Sequence, residues 1–179
     1  MEESAKNRKV IDVETNVSIM YLLRAVQQNH LQLTMMADRK ASTLLAACFI
    51  ITSLVAGYTI DKGLTPVAVV IALFTVLSAF FGLLASIPRL VNGEKSGKER
   101  NLLFFGDYAG MEVESYLKVM NESITTDQQI YQMMIEDIYS MGKVLTKKYR
   151  YIRLSYLMFI AGIIAPLVTI VVLEFLPFS

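Results

Sequence analysis

A short stretch late in the chain combines basic and aromatic side chains that are suited to binding phosphates and bases. The stretch contains Lys143, Lys147, Lys148, Tyr149 and Arg150. Arg39 and Lys40 form a second basic pair earlier in the chain. Lysine and arginine neutralise phosphate groups, and a tyrosine ring stacks on a nucleobase. In a symmetric oligomer these positions would form basic rings able to neutralise phosphates, and the alternative partner is the anionic lipid headgroups of a membrane.

Histidine and cysteine supply little further chemistry. His30 is the only histidine and Cys48 the only cysteine. A disulfide framework and a thiolate metal site are therefore excluded, and most hydrolytic arrangements would have to use carboxylates alone. The sequence also contains no glycine-rich phosphate loop, CxxC pair or HExxH motif. We therefore expect no metal, no cofactor and no enzymatic activity.

The elements that would position these groups are three long apolar blocks. They cover residues 41–60, 66–87 and 154–176, and the only charged residue within them is Glu174. About 20 residues of α-helix cross the roughly 30 Å of a bilayer core. Of the 179 residues, 54% are hydrophobic and 18% charged, which is typical of a membrane protein. The blocks predict an all-α protein with three transmembrane helices, and buried helices of a soluble protein are the alternative.

The basic residues indicate how these helices are oriented. The connector 61–65 contains Lys62 alone, whereas the other lysines and arginines lie in residues 1–40 and 89–153. Segments rich in lysine and arginine remain in the cytosol. This predicts a cytosolic N-terminus, a cytosolic region over residues 88–153 and a periplasmic C-terminus.

Residues 16–40 are predicted to form an amphipathic cytosolic helix that enters the first span without a break, after a disordered segment at 1–15. Its apolar side alternates steps of three and four residues, as in a helix bundle. The positions are Leu23, Val26, His30, Leu33, Ala37 and Leu44. His30 is interpreted as a packed histidine or as a pH or ligand switch. With Leu33, Ala37 and Asp38 it forms a candidate gating set, and Asp38 needs a cationic partner among Arg39, Lys40 or the basic residues near Lys147.

A second long helix is predicted to begin at a capping box formed by Thr126 and Gln129. Before it, residues 89–100 indicate a loop and residues 112–121 a short helix. Its apolar positions are Ile130, Met134, Ile138, Met141 and Leu145. Burying the apolar sides of both long helices against each other, within and between subunits, predicts a cytosolic stalk that is continuous with the spans.

Small residues recur at four-residue spacing in the later spans, as Ser78, Gly82 and Ser86 and as Ala161 and Ala165 beside Gly162. Such spacing lets helices approach closely in lipid, although small residues are also simply common in membrane helices. Pro166 predicts a kink or a freed carbonyl in the third span. Three helices enclose little space, so we expect a homo-oligomer, with a tetramer as the working assumption.

Two separated segments resemble the transmembrane effector family of Pycsar anti-phage defence. The first is residues 29–42, centred on the Ala-Asp-Arg-Lys-Ala sequence at 37–41. The second begins with Asn-Leu-Leu-Phe-Phe-Gly-Asp at 101–107 and continues through residues 138–150. The likeness extends from Val17 to Leu173 and includes the same order of apolar blocks.

The resemblance implies a bacterial inner-membrane protein that acts beside a nucleotide-signal synthase and impairs the membrane of an infected cell. Many such effectors also carry a cyclic-nucleotide-binding domain, for which this sequence has no β-rich stretch. It therefore implies the stand-alone form of Hailong-type systems, whose synthase makes an oligonucleotide. The predicted function is a ligand-controlled oligomeric pore that depolarises the inner membrane in abortive infection. The alternative is a membrane scaffold or regulatory subunit that anchors a partner complex.

Overall fold

Two very long helices and one shorter apolar helix make up most of the chain. A computed structural model describes residues 2–87 and 101–175, with side chains from residue 17 onward apart from that of Phe105. The helices are α1 (Glu2–Lys62), α2 (Pro66–Ser86), α3 (Phe105–Tyr108), α4 (Val113–Ser123) and α5 (Asp127–Phe175). No strand occurs in these ranges, so the all-α prediction is confirmed there. The predicted loop at 89–100 lies outside the described residues.

Helices α1, α2 and α5 are each long and apolar enough to cross a membrane, as the three apolar blocks predict. Neither long helix is interrupted between its polar and its apolar segment. Helix α1 also includes residues 2–15, which belong to the segment predicted to be disordered. Helix α5 continues through Pro166.

The turn between α1 and α2 follows from three residues. Gly63 has a φ of 81°, a conformation that glycine adopts without a steric cost, and its N–H donates to the Thr59 carbonyl at 2.9 Å. Thr65 caps α2 by accepting from the Ala68 N–H at 3.2 Å. Pro66 then occupies the first turn, where its missing N–H costs no hydrogen bond.

The start of α5 confirms the predicted capping box. The Thr126 N–H donates to Gln129 Oε1 at 3.1 Å, and the Gln129 N–H donates to Thr126 Oγ1 at 3.4 Å. These reciprocal bonds satisfy two donors that a helix N-terminus would otherwise leave open.

The chain divides into two compact units. The first unit comprises Met1–Leu33 and Pro88–Val144, and the second comprises Thr34–Ile87 and Leu145–Ser179. In the first unit the predicted apolar positions of α1 and α5 are half-buried: Leu23, Val26, His30, Leu33, Ile130, Met134, Ile138 and Met141. In the second unit Ala37, Leu44 and Leu145 are buried. The periodicity therefore identified the inward sides of both helices.

Helix packing in the second unit depends on small residues. A Cβ added at Gly82 would lie 3.2 Å from Leu45 Cδ2 and 3.3 Å from Ser155 Oγ. A Cβ added at Gly162 would lie 2.9 Å from Phe74 Cβ. Glycine at these two positions is therefore what allows α1, α2 and α5 to approach so closely, as the four-residue spacing predicts.

Candidate functional site

The predicted gating residues of the second unit lie where α1 passes α5. Ala37, Ala41, Ala85 and Ile152 form a buried cluster, and Tyr149 and Tyr151 pack against it. Alanine has almost no side-chain bulk, so the helix backbones come close together at this level. Tyr149 is half-buried here, so part of its ring is already used in packing within the chain.

Asp38 and Lys148 form an ion pair between α1 and α5 in this unit. The Lys148 Nζ lies 2.5 Å from the Asp38 carboxylate, and the side chains are 15% and 47% exposed respectively. Asp38 thus has a cationic partner from the basic stretch around Lys147, one of the options its sequence position left open. Because the Lys148 ammonium already neutralises Asp38, an incoming phosphate would have to compete with that carboxylate.

The other predicted basic residues of this unit point outward. Arg39, Lys40, Lys147 and Arg150 are all exposed. Successive helical residues are rotated by about 100°, so Lys147 and Arg150 share one side of α5 while Lys148 lies on another. Lys148 is therefore separated in the fold from the exposed cations Lys147 and Arg150, although the three residues are close together in the sequence.

Lys143 and the remaining gating residues belong to the first unit. The Lys143 ammonium lies 4.5 Å from the centre of the Tyr139 ring, an arrangement that stabilises the cation over the aromatic face. A Cβ on Gly142 would lie 3.5 Å from His30 Cε1, which places the histidine directly against α5. Both His30 and Leu33 are half-buried.

The first unit also contains a polar network that the sequence reasoning missed. Asp137 on α5 is 1% exposed and is the largest fully buried side chain in the described part of the protein. Its Oδ2 accepts a bond from Gln27 Nε2 of α1 at 3.0 Å. Its Oδ1 accepts a bond from Asn101 Nδ2 at 2.8 Å. One carboxylate thus joins α1, α5 and the segment that precedes α3.

Asn101 uses every polar group it has. Its N–H donates to Asp107 Oδ2 at 2.9 Å, and its Oδ1 accepts from the Leu103 N–H at 3.0 Å. Its Nδ2 donates to Asp137 and lies 3.3 Å from Ser140 Oγ. The amide therefore determines both the local turn at 101–107 and the attachment of that turn to α5.

A signal for this network was present in the sequence. Asp137 lies next to Ile138 and three residues after Met134, which places an acidic residue on the apolar side of α5. A carboxylate at such a position needs hydrogen-bond donors on the facing element. The partners Gln27 and Asn101 are 110 and 36 residues away in the chain, so their identity required the fold.

Hydroxyl and thiol groups connect all three helices of the second unit. Ser78 Oγ donates to the Ser155 carbonyl at 2.9 Å, and Ser155 Oγ donates to the Ser78 carbonyl at 2.6 Å. The Cys48 thiol donates to Ser78 Oγ at 3.5 Å. The reciprocal serine bonds fix the register of α2 against α5 without exposing a polar group to lipid.

The chemistry available is therefore recognition of anions and helix–helix contact. No group of three or more metal-ligating side chains occurs among the residues that the structure describes. Exposed cations on α1 and α5, a buried carboxylate network and an interhelical ion pair are charged features of these residues. They can bind phosphate and can hold helices in defined arrangements.

A comparison with known protein families finds a matching model. The Pycsar effector protein domain matches residues 21–175, a region that contains most of α1 and all of α2, α3, α4 and α5. No curated protein and no solved structure matches the chain.

Proposed function

Since the chain belongs to the Pycsar effector protein family, we propose that it forms a ligand-controlled oligomeric pore that depolarises the bacterial inner membrane and aborts phage infection. The family match over the three apolar helices is the observation that carries this proposal. Membership makes the chain a membrane effector of anti-phage defence, in a family not known for enzymatic activity. It also implies a response to a cyclic nucleotide signal.

A pore would have to form between copies of the chain. In the second unit, the contacts around Gly82 and Gly162 bring the described parts of α1, α2 and α5 together. The serine and cysteine bonds occupy the space between them at the level of Ser78. Helices packed this closely leave room for ions only outside the single bundle, which supports a homo-oligomer with a tetramer as the working assumption.

The outer side of the first span is the best candidate for the pore lining. Ser42, Ala46, Ser53 and Gly57 recur along α1 and are exposed. Nothing lies within 4 Å of a Cβ added at Gly57, so small size there is not required by packing within the chain. Small and hydroxylated residues facing outward support a surface that meets other subunits or water rather than lipid alone.

The exposed cations supply the expected site for the phosphates of the signal. Arg39, Lys40, Lys147 and Arg150 belong to the second unit, whereas Lys143 stacks on Tyr139 in the first. With the N-terminus and residues 88–153 in the cytosol, the exposed cations would face the compartment in which a nucleotide synthase works. The resemblance to Hailong-type systems favours an oligonucleotide, and family membership favours a cyclic nucleotide. Binding assays with both, on wild-type protein and on a Lys147→Gln, Arg150→Gln variant, would identify the ligand.

The decisive experiment measures membrane potential in cells. Bacteria that carry the chain and its neighbouring synthase are infected with phage, and a potential-sensitive dye is read before lysis. We expect depolarisation only when both proteins and the phage are present. Growth arrest with an intact membrane potential would disprove the pore.

A matched pair of variants tests the proposed lining. Gly57→Leu should reduce conductance of the purified protein in lipid bilayers, because the leucine enters the proposed subunit-facing surface. Leu73→Phe enlarges an exposed residue of α2 and serves as the control. Equal conductance in the two variants would remove α1 from the lining.

The alternative function, a scaffold that anchors a partner complex, makes the opposite prediction. It expects no toxicity and no conductance from the chain under any condition. It also expects activity to be retained when Gly82 is enlarged, provided that the protein still reaches the membrane.

A further inference from the structure

The Asp137 network is the strongest unassigned feature of the first unit. Its carboxylate is fully buried, and its hydrogen-bond donors in the described residues are two neutral amides, Gln27 and Asn101. A buried carboxylate whose described partners are neutral amides loses much of its hydration and regains only part through such bonds. We propose that Asn101 and Asp137 form a latch that holds residues 101–123 in the resting protein, and that opening the latch activates the effector.

Apolar packing alone gives residues 101–123 little attachment. Leu102 is the only buried hydrophobic residue described in the first unit. On α4, Val113 and Leu117 are largely exposed. Tyr116 adds one hydrogen bond from its hydroxyl to the Leu102 carbonyl at 3.3 Å. The polar bonds of Asn101 therefore contribute much of what holds the segment in position.

Such a connection is suited to switching. Segments with few buried apolar contacts open at a lower free energy than a packed core. Loss of one bond from the network leaves the remaining buried groups unsatisfied, so the closed state is favoured only while the geometry is intact. Because α1 and α5 each continue without a break into an apolar span, release of a segment bound to both helices can change their packing.

An exchange of the two side chains tests the latch directly. Asn101→Asp places a second carboxylate against Asp137 and removes the amide donor. Adding Asp137→Asn restores a donor toward residue 101 and keeps an oxygen toward Gln27. The double variant therefore keeps a donor–acceptor pair between positions 101 and 137 with the charge moved, and it loses only the weaker contact of residue 101 with Ser140. Asn121→Asp, at an exposed position of α4, is the matched control.

Hydrogen exchange of the purified full-length protein in detergent measures the opening. Asn101→Asp should raise amide exchange over residues 101–123 by roughly tenfold or more, because buried polar groups lose their partners. The double variant and Asn121→Asp should exchange close to the wild-type rate. Wild-type exchange in Asn101→Asp, or no recovery in the double variant, would overturn the latch.

The regulatory part rests on the proposed function and is tested in cells without phage or synthase. Asn101→Asp should depolarise the membrane, whereas the double variant and Asn121→Asp should be silent. A loosened segment without depolarisation would show that the network is only structural, and the regulatory proposal would be wrong. If the wild-type chain with its synthase also fails to depolarise infected cells, the pore proposal fails, while the exchange result still decides the latch.

Discussion

Each of the two units of this protein has its own kind of interior. Eight of the nine buried hydrophobic residues in the described ranges belong to the second unit, and four of the eight are alanines. The first unit contributes Leu102 alone, and its largest fully buried side chain is a carboxylate. One interior is specified by shape and the other by a few directional hydrogen bonds.

With the apolar spans of the second unit in lipid and the first unit outside it, as we propose, this difference has a physical cause. In lipid, apolar side chains gain little by leaving the solvent, so close packing of small residues and a few internal hydrogen bonds must hold helices together. Outside lipid, a thin apolar interior contributes little, and polar bonds determine which arrangement is adopted. The second unit is therefore expected to resist local change, whereas the first is expected to be the part that responds to a signal.

Overpacking the second unit should have the largest effect. Gly162→Leu places side-chain atoms where a Cβ alone would already lie 2.9 Å from Phe74 Cβ. Forcing α2 and α5 apart should cost about 3 kcal/mol, seen as a much lower thermal midpoint of the detergent-solubilised protein.

Val168→Leu, at an exposed position of the same helix, is the control for this substitution. It should leave the thermal midpoint close to that of the wild type. If both leucine variants were equally stable, shape would not be what holds the second unit together.

Removing the buried carboxylate should have the next largest effect, and only in the first unit. Asp137→Ala leaves the half-buried amide donors of Gln27 and Asn101 without their acceptor, at a cost of about 2 kcal/mol. Trypsin should then cut faster after Lys118, which is exposed on α4. Glu136→Ala, at the exposed neighbouring position, should not change the cleavage rate.

Features that depend on neighbours in the chain could be predicted from the sequence. The capping box at Thr126, the turn at Gly63 and the inward sides of α1 and α5 follow from local residue types and a helical period. The three apolar helices follow from length and composition. Each of these features depends only on residues within a few helical turns of one another.

Features that depend on which helices meet could not be predicted in the same way. The attachment of Asn101 to Asp137 depends on the path of the intervening chain. Lys147 and Lys148 are equivalent in composition, yet only Lys148 meets Asp38. Lys147 and Lys148 lie about 100° apart around α5, so one is exposed and the other is paired. Which of the two is paired can be predicted only when the position of α1 is known.

Loss of one interhelical serine bond should have a smaller effect. Ser155→Ala removes the bond to the Ser78 carbonyl, but Ser78 still donates to the carbonyl of residue 155. We expect a loss of about 1 kcal/mol in the free energy of unfolding. Ser53→Ala removes a hydroxyl that bonds within its own helix, and it should leave the thermal midpoint unchanged. A larger effect for Ser155→Ala than for Gly162→Leu would reverse the order of shape and polar bonds in this unit.

The ion pair should contribute least, because Asp38 remains 47% exposed. Asp38→Asn keeps the shape of the side chain and removes its charge, and the expected loss is about 0.5 kcal/mol. Raising salt from about 0.1 M to about 1 M shortens the screening length from about 10 Å to about 3 Å, so the wild type should lose its advantage over the variant. Asp61→Asn is the control, since its pair with Lys62 is exposed on both sides. A salt-independent difference in thermal midpoint would mean that Asp38 acts through packing or hydrogen bonding rather than through its charge.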